Sequence, residues 1–189
     1  MAGTAQTLVE KPHRAWVPGF PIVHPGVFVS YIGDCFVVLV GEQMTSVGFD
    51  AYMAGVTQAI VGSPDALRVG SIIHVNSGPW WNSLSIGQKA ERMKTYADII
   101  NANREKVKTT VPVSAQIFVS AVARAAVRTA LVFSPPPSPS FVAKTAEEAY
   151  RLMARTYPPL QAQAEDLLAA HEYAVNKYVP DLMPSLRRG

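Results

Sequence analysis

Apolar residues fall along this chain in two kinds of run, and their alternation predicts an α/β fold. From Val27 the stretch "VFVSYIGDCFVVLVGE" carries two β-branched and aromatic runs broken at Gly33-Asp34, a short hairpin signal, and predicts strands at about 27–32 and 35–41. In "TSVGFDAYMAGVTQAIV" the spacing changes to that of a helix, with Phe49, Met53, Val56 and Ile60 on one side behind the caps Thr45 or Ser46. That helix runs over 46–61 and stops at Gly62-Ser63-Pro64. "GSIIHVNSG" is short and nearly continuously apolar, as a parallel strand covered on both faces would be, and predicts a strand at 70–76.

Ile86, Ala90, Met93, Ala97, Ile100 and Val107 then mark one stripe of a helix over 85–108. Ser85 with Gln88 three positions later is a capping-box pattern that sets its start. "VSAQIFV" predicts a strand at 113–119, and 121–133 a helix whose Arg124 and Arg128 share a face. The run "SPPPSPS" ends that helix as a rigid connector and leads to a short edge strand at 141–144. Thr145 and Glu148 form a second capping-box pattern opening "AEEAYRLMART", and 158–179 is amphipathic through Leu160, Ala164, Leu167, Leu168, Val175 and Tyr178.

Before residue 27, Pro12, Pro18, Pro21 and Pro25 with Gly19 and Gly26 argue against a long helix or central strand and predict an extended arm. Trp16, Phe20, Ile22 and Val23 on that arm predict that it docks on its own domain or a neighbour. Three parts follow: a Pro-rich arm over 1–26, an α/β domain over 27–155, and a helical extension over 156–189 lying outside the minimal domain. Alternating strands and helices imply right-handed crossovers, so the expected domain is a four- to five-stranded, mostly parallel sheet opened by an antiparallel hairpin. About four helices accompany it, with the C-terminal helix added.

Composition narrows the function. Charged residues are 16% of the 189, against about 25% in typical soluble domains, which predicts surface buried against another chain. The net charge of +3 comes from seventeen cations and fourteen acids spread along the chain, without the basic patch of a nucleic-acid binder. Cys35 is the single cysteine, which excludes an intrachain disulfide and fits a reducing cytosol. The start "MAGTAQTLVEKPHRAW" lacks a secretory h-region, and the most apolar window, 111–133, contains Arg124 and Arg128, so a cytoplasmic chain without a membrane span is expected.

The element order, together with "CFVVLVGEQMTSVGFDAYMAGV" and "SFVAKTAEEAYRLM", resembles the STAS domain, the fold of bacterial anti-sigma-factor antagonists, over 27–155. The resemblance implies a non-enzymatic regulatory module acting through a protein partner. In regulatory members a partner kinase phosphorylates a serine at the corner between the third strand and second helix, in the pattern Asp-Ser-Ser-Gly. Here the corner reads Asn82-Ser83-Leu84-Ser85-Ile86-Gly87, and the resemblance makes Ser83 and Ser85 the phosphoacceptor candidates.

The residues themselves leave three classes open. Asn76, Ser77, Trp80, Trp81 and Asn82 at the corner, with Arg124 and Arg128, are the candidate contacts for a protein partner or a second copy of the chain. Alternatively Trp80 and Trp81 wall a pocket for a small apolar ligand or lipid. A hydrolase would use His74 near Ser77, but no G-x-S-x-G surrounds any serine, and His74 reads as a core residue. His13, His24, His74 and His171 lack metal-site spacing, no glycine-rich cofactor loop is present, and Cys35 reads as an inert core thiol. No catalytic residue, metal or cofactor is expected.

Overall fold

Residues 2–10, 19–65, 67–133 and 135–187 are described by the computed structural model of the chain. Ile22–His24 (β1), Val27–Ile32 (β2) and Cys35–Val40 (β3) form an antiparallel meander. Gly33, at φ +52°, supplies the left-handed corner between β2 and β3, a conformation glycine adopts at no steric cost. Gly70–Val75 (β4), Ser114–Phe118 (β5) and Ser140–Ala143 (β6) then add in parallel, one beside the next, in sequential order. The sheet has six strands rather than the expected four or five, because the Pro-rich stretch contributes the short edge strand β1.

Every crossover along the parallel half steps in the same direction across the sheet. Right-handed connections therefore place all crossover helices on one face. These are Ser46–Gly62 (α2) between β3 and β4; Pro79–Ser83 (α3), Ile86–Ala102 (α4) and Arg104–Thr110 (α5) between β4 and β5; and Ala121–Phe133 (α6) between β5 and β6. The expected helix over 85–108 breaks at Asn103, whose φ and ψ of −115° and 22° leave the helical region.

Such a topology leaves the opposite face with no crossover to cover it. Helix Ala146–Thr156 (α7), a 3-10 turn at Pro158–Gln163, helix Ala164–Tyr178 (α8) and a second 3-10 turn at Pro180–Ser185 do so. Met153, Leu160, Leu167, Leu168, Val175 and Leu182 pack there against Phe28, Ile32, Val37, Leu39, Ile72 and Ile117 of the sheet. The C-terminal residues thus form one of the two layers of the core.

The N-terminus is corrected at its start. Ala2–Glu10 is a helix (α1), nine residues that all precede Pro12, and not an extended segment. Its Val9 is fully buried against the α8 layer. Glu10 accepts from Lys177 Nζ at 2.5 Å and from the Tyr173 hydroxyl at 3.0 Å, tying α1 to α8. Phe20 and Ile22 pack against the core on the crossover-helix side, while Val23 is exposed; Trp16 lies outside the described residues.

The two faces are not equally sealed. β2 and β3 are buried along their whole length, as strands covered on both sides should be. In β4 only Gly70, Ile72 and His74 are buried, and in β5 only Ala115 and Ile117, all of them toward α7 and α8. Ser71, Ile73, Val75, Ser114, Gln116 and Phe118 point the other way and remain half-buried, because neither α4 nor α6 buries a single residue.

Candidate functional site

The corner at 76–87 closes the carboxyl end of β4. Asn76 Nδ2 donates to Glu42 Oε1 at 3.0 Å and to Asp181 Oδ2 at 3.2 Å, and the same Asp181 oxygen accepts the Glu42 N–H at 3.0 Å. Asn76 is therefore engaged in tying the C-terminal 3-10 turn to the ends of β3 and β4. Ser77 is half-buried beside it. At Gly78 the chain passes so close to the Glu42 backbone that a Cβ would collide with it.

Pro79 then starts the short α3, which delivers both tryptophans onto α2. Trp80 and Trp81 lie 6.0 and 6.2 Å from the Phe49 ring, centroid to centroid, and 6.1 Å from each other. The Arg92 guanidinium from α4 sits 4.9 Å from the Phe49 centroid and 5.0 Å from that of Trp80, and pairs with Asp50 at 3.8 Å. Both tryptophans are half-buried, so their apolar area is largely used in joining α2 to α4.

The corner hydroxyls close helix turns. Ser83 Oγ donates to the Trp80 carbonyl at 2.7 Å. Ser85 caps α4 by accepting the Gln88 N–H at 3.2 Å while Gln88 Oε1 accepts the Ser85 N–H at 2.9 Å, the capping box that the sequence predicts. Both serines are exposed, as is Asn82, whose N–H donates to the Gly78 carbonyl at 3.0 Å.

Helix α6 exposes apolar residues and turns its arginines inward. Arg124 Nη1 donates to the carbonyls of Phe118 and Val119 at 2.6 and 2.8 Å, and Arg128 Nη2 to that of Val142 at 3.2 Å, so both guanidinium groups turn back onto the strands. Away from the arginines the helix carries Val122 and Phe133, 80% and 83% exposed, and one turn beyond Arg128 it carries Val132, 78% exposed. With Ala125, Ala126 and Thr129 between them, these positions make an uncharged stripe at helical spacing. On the neighbouring α4, Ile86 and Met93 of the predicted apolar stripe are 88% and 52% exposed. Seven of the nine exposed large apolar side chains among the described residues lie on α2, α4 and α6, which marks the crossover layer as the adhesive side.

The sealed layer holds a polar chain instead. Ser185 Oγ donates to the Leu182 carbonyl at 2.8 Å and lies 2.6 Å from His74 Nε2, which therefore carries the proton. His74 Nδ1 then accepts from His171 Nε2 at 2.9 Å, and His171 Nδ1 accepts from the Tyr150 hydroxyl at 3.3 Å. Protonating either imidazole would set N–H against N–H or O–H. Burial, reinforced by His171, holds His74 well below its ordinary pKa, and burial alone lowers His171 to about 3. Burial likewise raises the Tyr150 hydroxyl and the neighbouring Cys35 thiol, leaving the thiol protonated and inert.

His74 is thus a hydrogen-bonded core residue whose serine is Ser185, not Ser77. The pair is closed to solvent and presents no nucleophile to a substrate. Its separation of 111 positions gave the sequence no means of revealing it. Among the described residues no group of three or more His, Cys, Asp or Glu side chains could hold a metal ion. No helix among them is long and apolar enough to cross a membrane.

A cavity of about 200 Å³ lies between α2, α4, α5 and α6, over the amino-terminal ends of the parallel strands. Trp80 and Trp81, at the other end of the sheet, do not line it. In comparisons with known proteins, no family model, no curated protein and no solved structure matches the chain.

Proposed function

We propose that this chain is a non-catalytic, STAS-like association module whose first partner is a second copy of itself, joined through the layer of α4 and α6. The observation that carries the reading is α6: its arginines are spent on backbone carbonyls while Val122, Val132 and Phe133 face outward. An uncharged stripe suits an isologous contact, because a surface meeting its own copy must not repel itself. Antiparallel pairing of α6 with α6 sets Val122 of one copy near Phe133 of the other, with Ala125, Ala126 and Thr129 at the crossing.

The size also fits. Helices α4 and α6 side by side present roughly 25 Å by 20 Å, on the order of 500 Å² in projection and more in accessible area. Stable interfaces use about 800 Å² per partner, so the pair supplies most of it, and Val47 and Val61 of α2 extend the apolar area. The low charge content of the chain supports the same reading. A regulatory, STAS-like role is supported by the hairpin-then-parallel strand order and by the exposed Ser83 and Ser85 at the start of α4, where a phosphate would meet free N–H groups.

Light scattering on a size-exclusion column tests the self-association. The intact chain is expected to elute as a dimer, and the double variant Val122→Asp, Phe133→Asp as a folded monomer with an unchanged circular dichroism spectrum, since both side chains are exposed in the single chain. A wild-type chain that stays monomeric, or a variant that stays dimeric, overturns the reading. Phosphopeptide mapping from the native host tests the regulatory part, which fails if Ser83 and Ser85 are never modified.

A further inference from the structure

One in-register row crosses five strands at the amino-terminal end of the sheet: Tyr31 pairs with Phe36, Phe36 with Ser71, Ser71 with Ser114, and Ser114 with Ser140. Residues in register on neighbouring strands point to the same face, so the row forms a continuous strip. All five line the 200 Å³ cavity beneath α4 and α6. The floor is therefore aromatic on β2 and β3 and hydroxylated on β4, β5 and β6.

On this wall the hydroxyls of Ser71 and Ser114 make no hydrogen bond among the described residues and are not shut off from solvent, whereas those of Ser140 and Ser138 are shut off and have no hydrogen-bond partner. Folded proteins leave few buried hydroxyls in that state, because each has lost water without gaining a replacement. Tyr96 and Ile100 wall the cavity on the helix side. Among the described residues no acidic side chain lines it, and Arg104, an exposed residue at its rim, makes no ion pair or side-chain hydrogen bond. An aromatic floor, a hydroxyl row and one unpaired cation define a ligand with a flat apolar body, hydrogen-bonding substituents and a negative charge.

We propose that this cavity binds a small monocyclic aromatic carboxylic acid. Size sets the limit: an apolar cavity of about 150 Å³ accommodates benzene, so the volume here takes one ring with short polar arms. The ring lies over Phe36 and under Tyr96 and Ile100, its polar edge faces Ser71 and Ser114, and Arg104 at the rim compensates the carboxylate. This site is at the opposite end of the sheet from the tryptophan corner and does not depend on dimer formation.

Calorimetric titration of the intact chain with 4-hydroxybenzoate and its neutral relative 4-hydroxybenzamide tests the assignment. Saturable one-to-one binding of the acid is expected at a Kd of about 1 mM or below. Arg104→Gln is expected to weaken the acid about tenfold and the amide by less than about twofold. Ser114→Ala separates a ligand role from a structural one: removing a hydroxyl that bonds nothing in the free protein should leave its unfolding temperature unchanged while weakening both compounds severalfold. No saturable binding of the acid below about 10 mM overturns the proposal, as does wild-type affinity for it in both variants.

Discussion

Lowering the pH should unfold this protein through its two buried histidines. Above pH 6.5, the ordinary pKa of the side chain, His171 is neutral both in the folded and in the unfolded chain, and pH has no purchase on it. Between 6.5 and about 3 the unfolded chain binds a proton that the folded one refuses, so stability falls with falling pH across that window. By pH 5 the loss from His171 is about 2 kcal/mol, and over the full window about 5 kcal/mol, at 1.36 kcal/mol per pKa unit. His74, displaced in the same direction, adds to it. Set against total stabilities of about 5–15 kcal/mol for domains of this kind, the sum is large. Urea unfolding followed by tryptophan fluorescence at pH 7 and pH 5 reads the loss directly. His171→Gln keeps a donor toward His74 and an acceptor toward Tyr150 without titrating, and should remove the His171 share of the pH dependence. Equal wild-type stability at the two pH values, or an undiminished dependence in His171→Gln, would refute the reasoning.

Two other changes separate local from long-range contributions. Ser85→Ala removes the α4 cap and should cost about 0.5–2 kcal/mol in chemical denaturation, whereas Ser85→Asp, a competent cap, should cost little. Val9→Ala strips two buried methyl-sized groups from the contact of α1 with α8 and should cost about 2 kcal/mol in thermal unfolding, which an undocked arm would not feel.

Local signals carried much of the fold. The hairpin at Gly33-Asp34, the cap at Ser85 with Gln88, and helix α6 over Ala121–Phe133 were all legible because each depends on residues within a few positions of one another. Helix α1 was missed because prolines from 12 onward were allowed to colour the nine residues before them. The periodicity puts Ile86 and Met93 on one stripe of α4, yet periodicity says which residues share a face and not what that face meets, and both are exposed. The pairing of Arg124 and Arg128 on α6 was visible, while their turning inward to strand carbonyls was not.

By itself, then, the sequence determined the positions of β2 to β6 and of α2 and α6, the parallel alternation after an antiparallel start, and the capping chemistry of the corner. Only the tertiary structure decided which side of each helix is covered. Crossovers stepping in one direction put α2, α4 and α6 on one face, so the other face had to be completed by α7, α8 and α1. The same packing joined His74 to His171 and Ser185, and aligned Ser71, Ser114 and Ser140, across separations that no local pattern spans. Strand register and layer assignment are properties of the whole sheet, and both candidate surfaces of this protein are written in them.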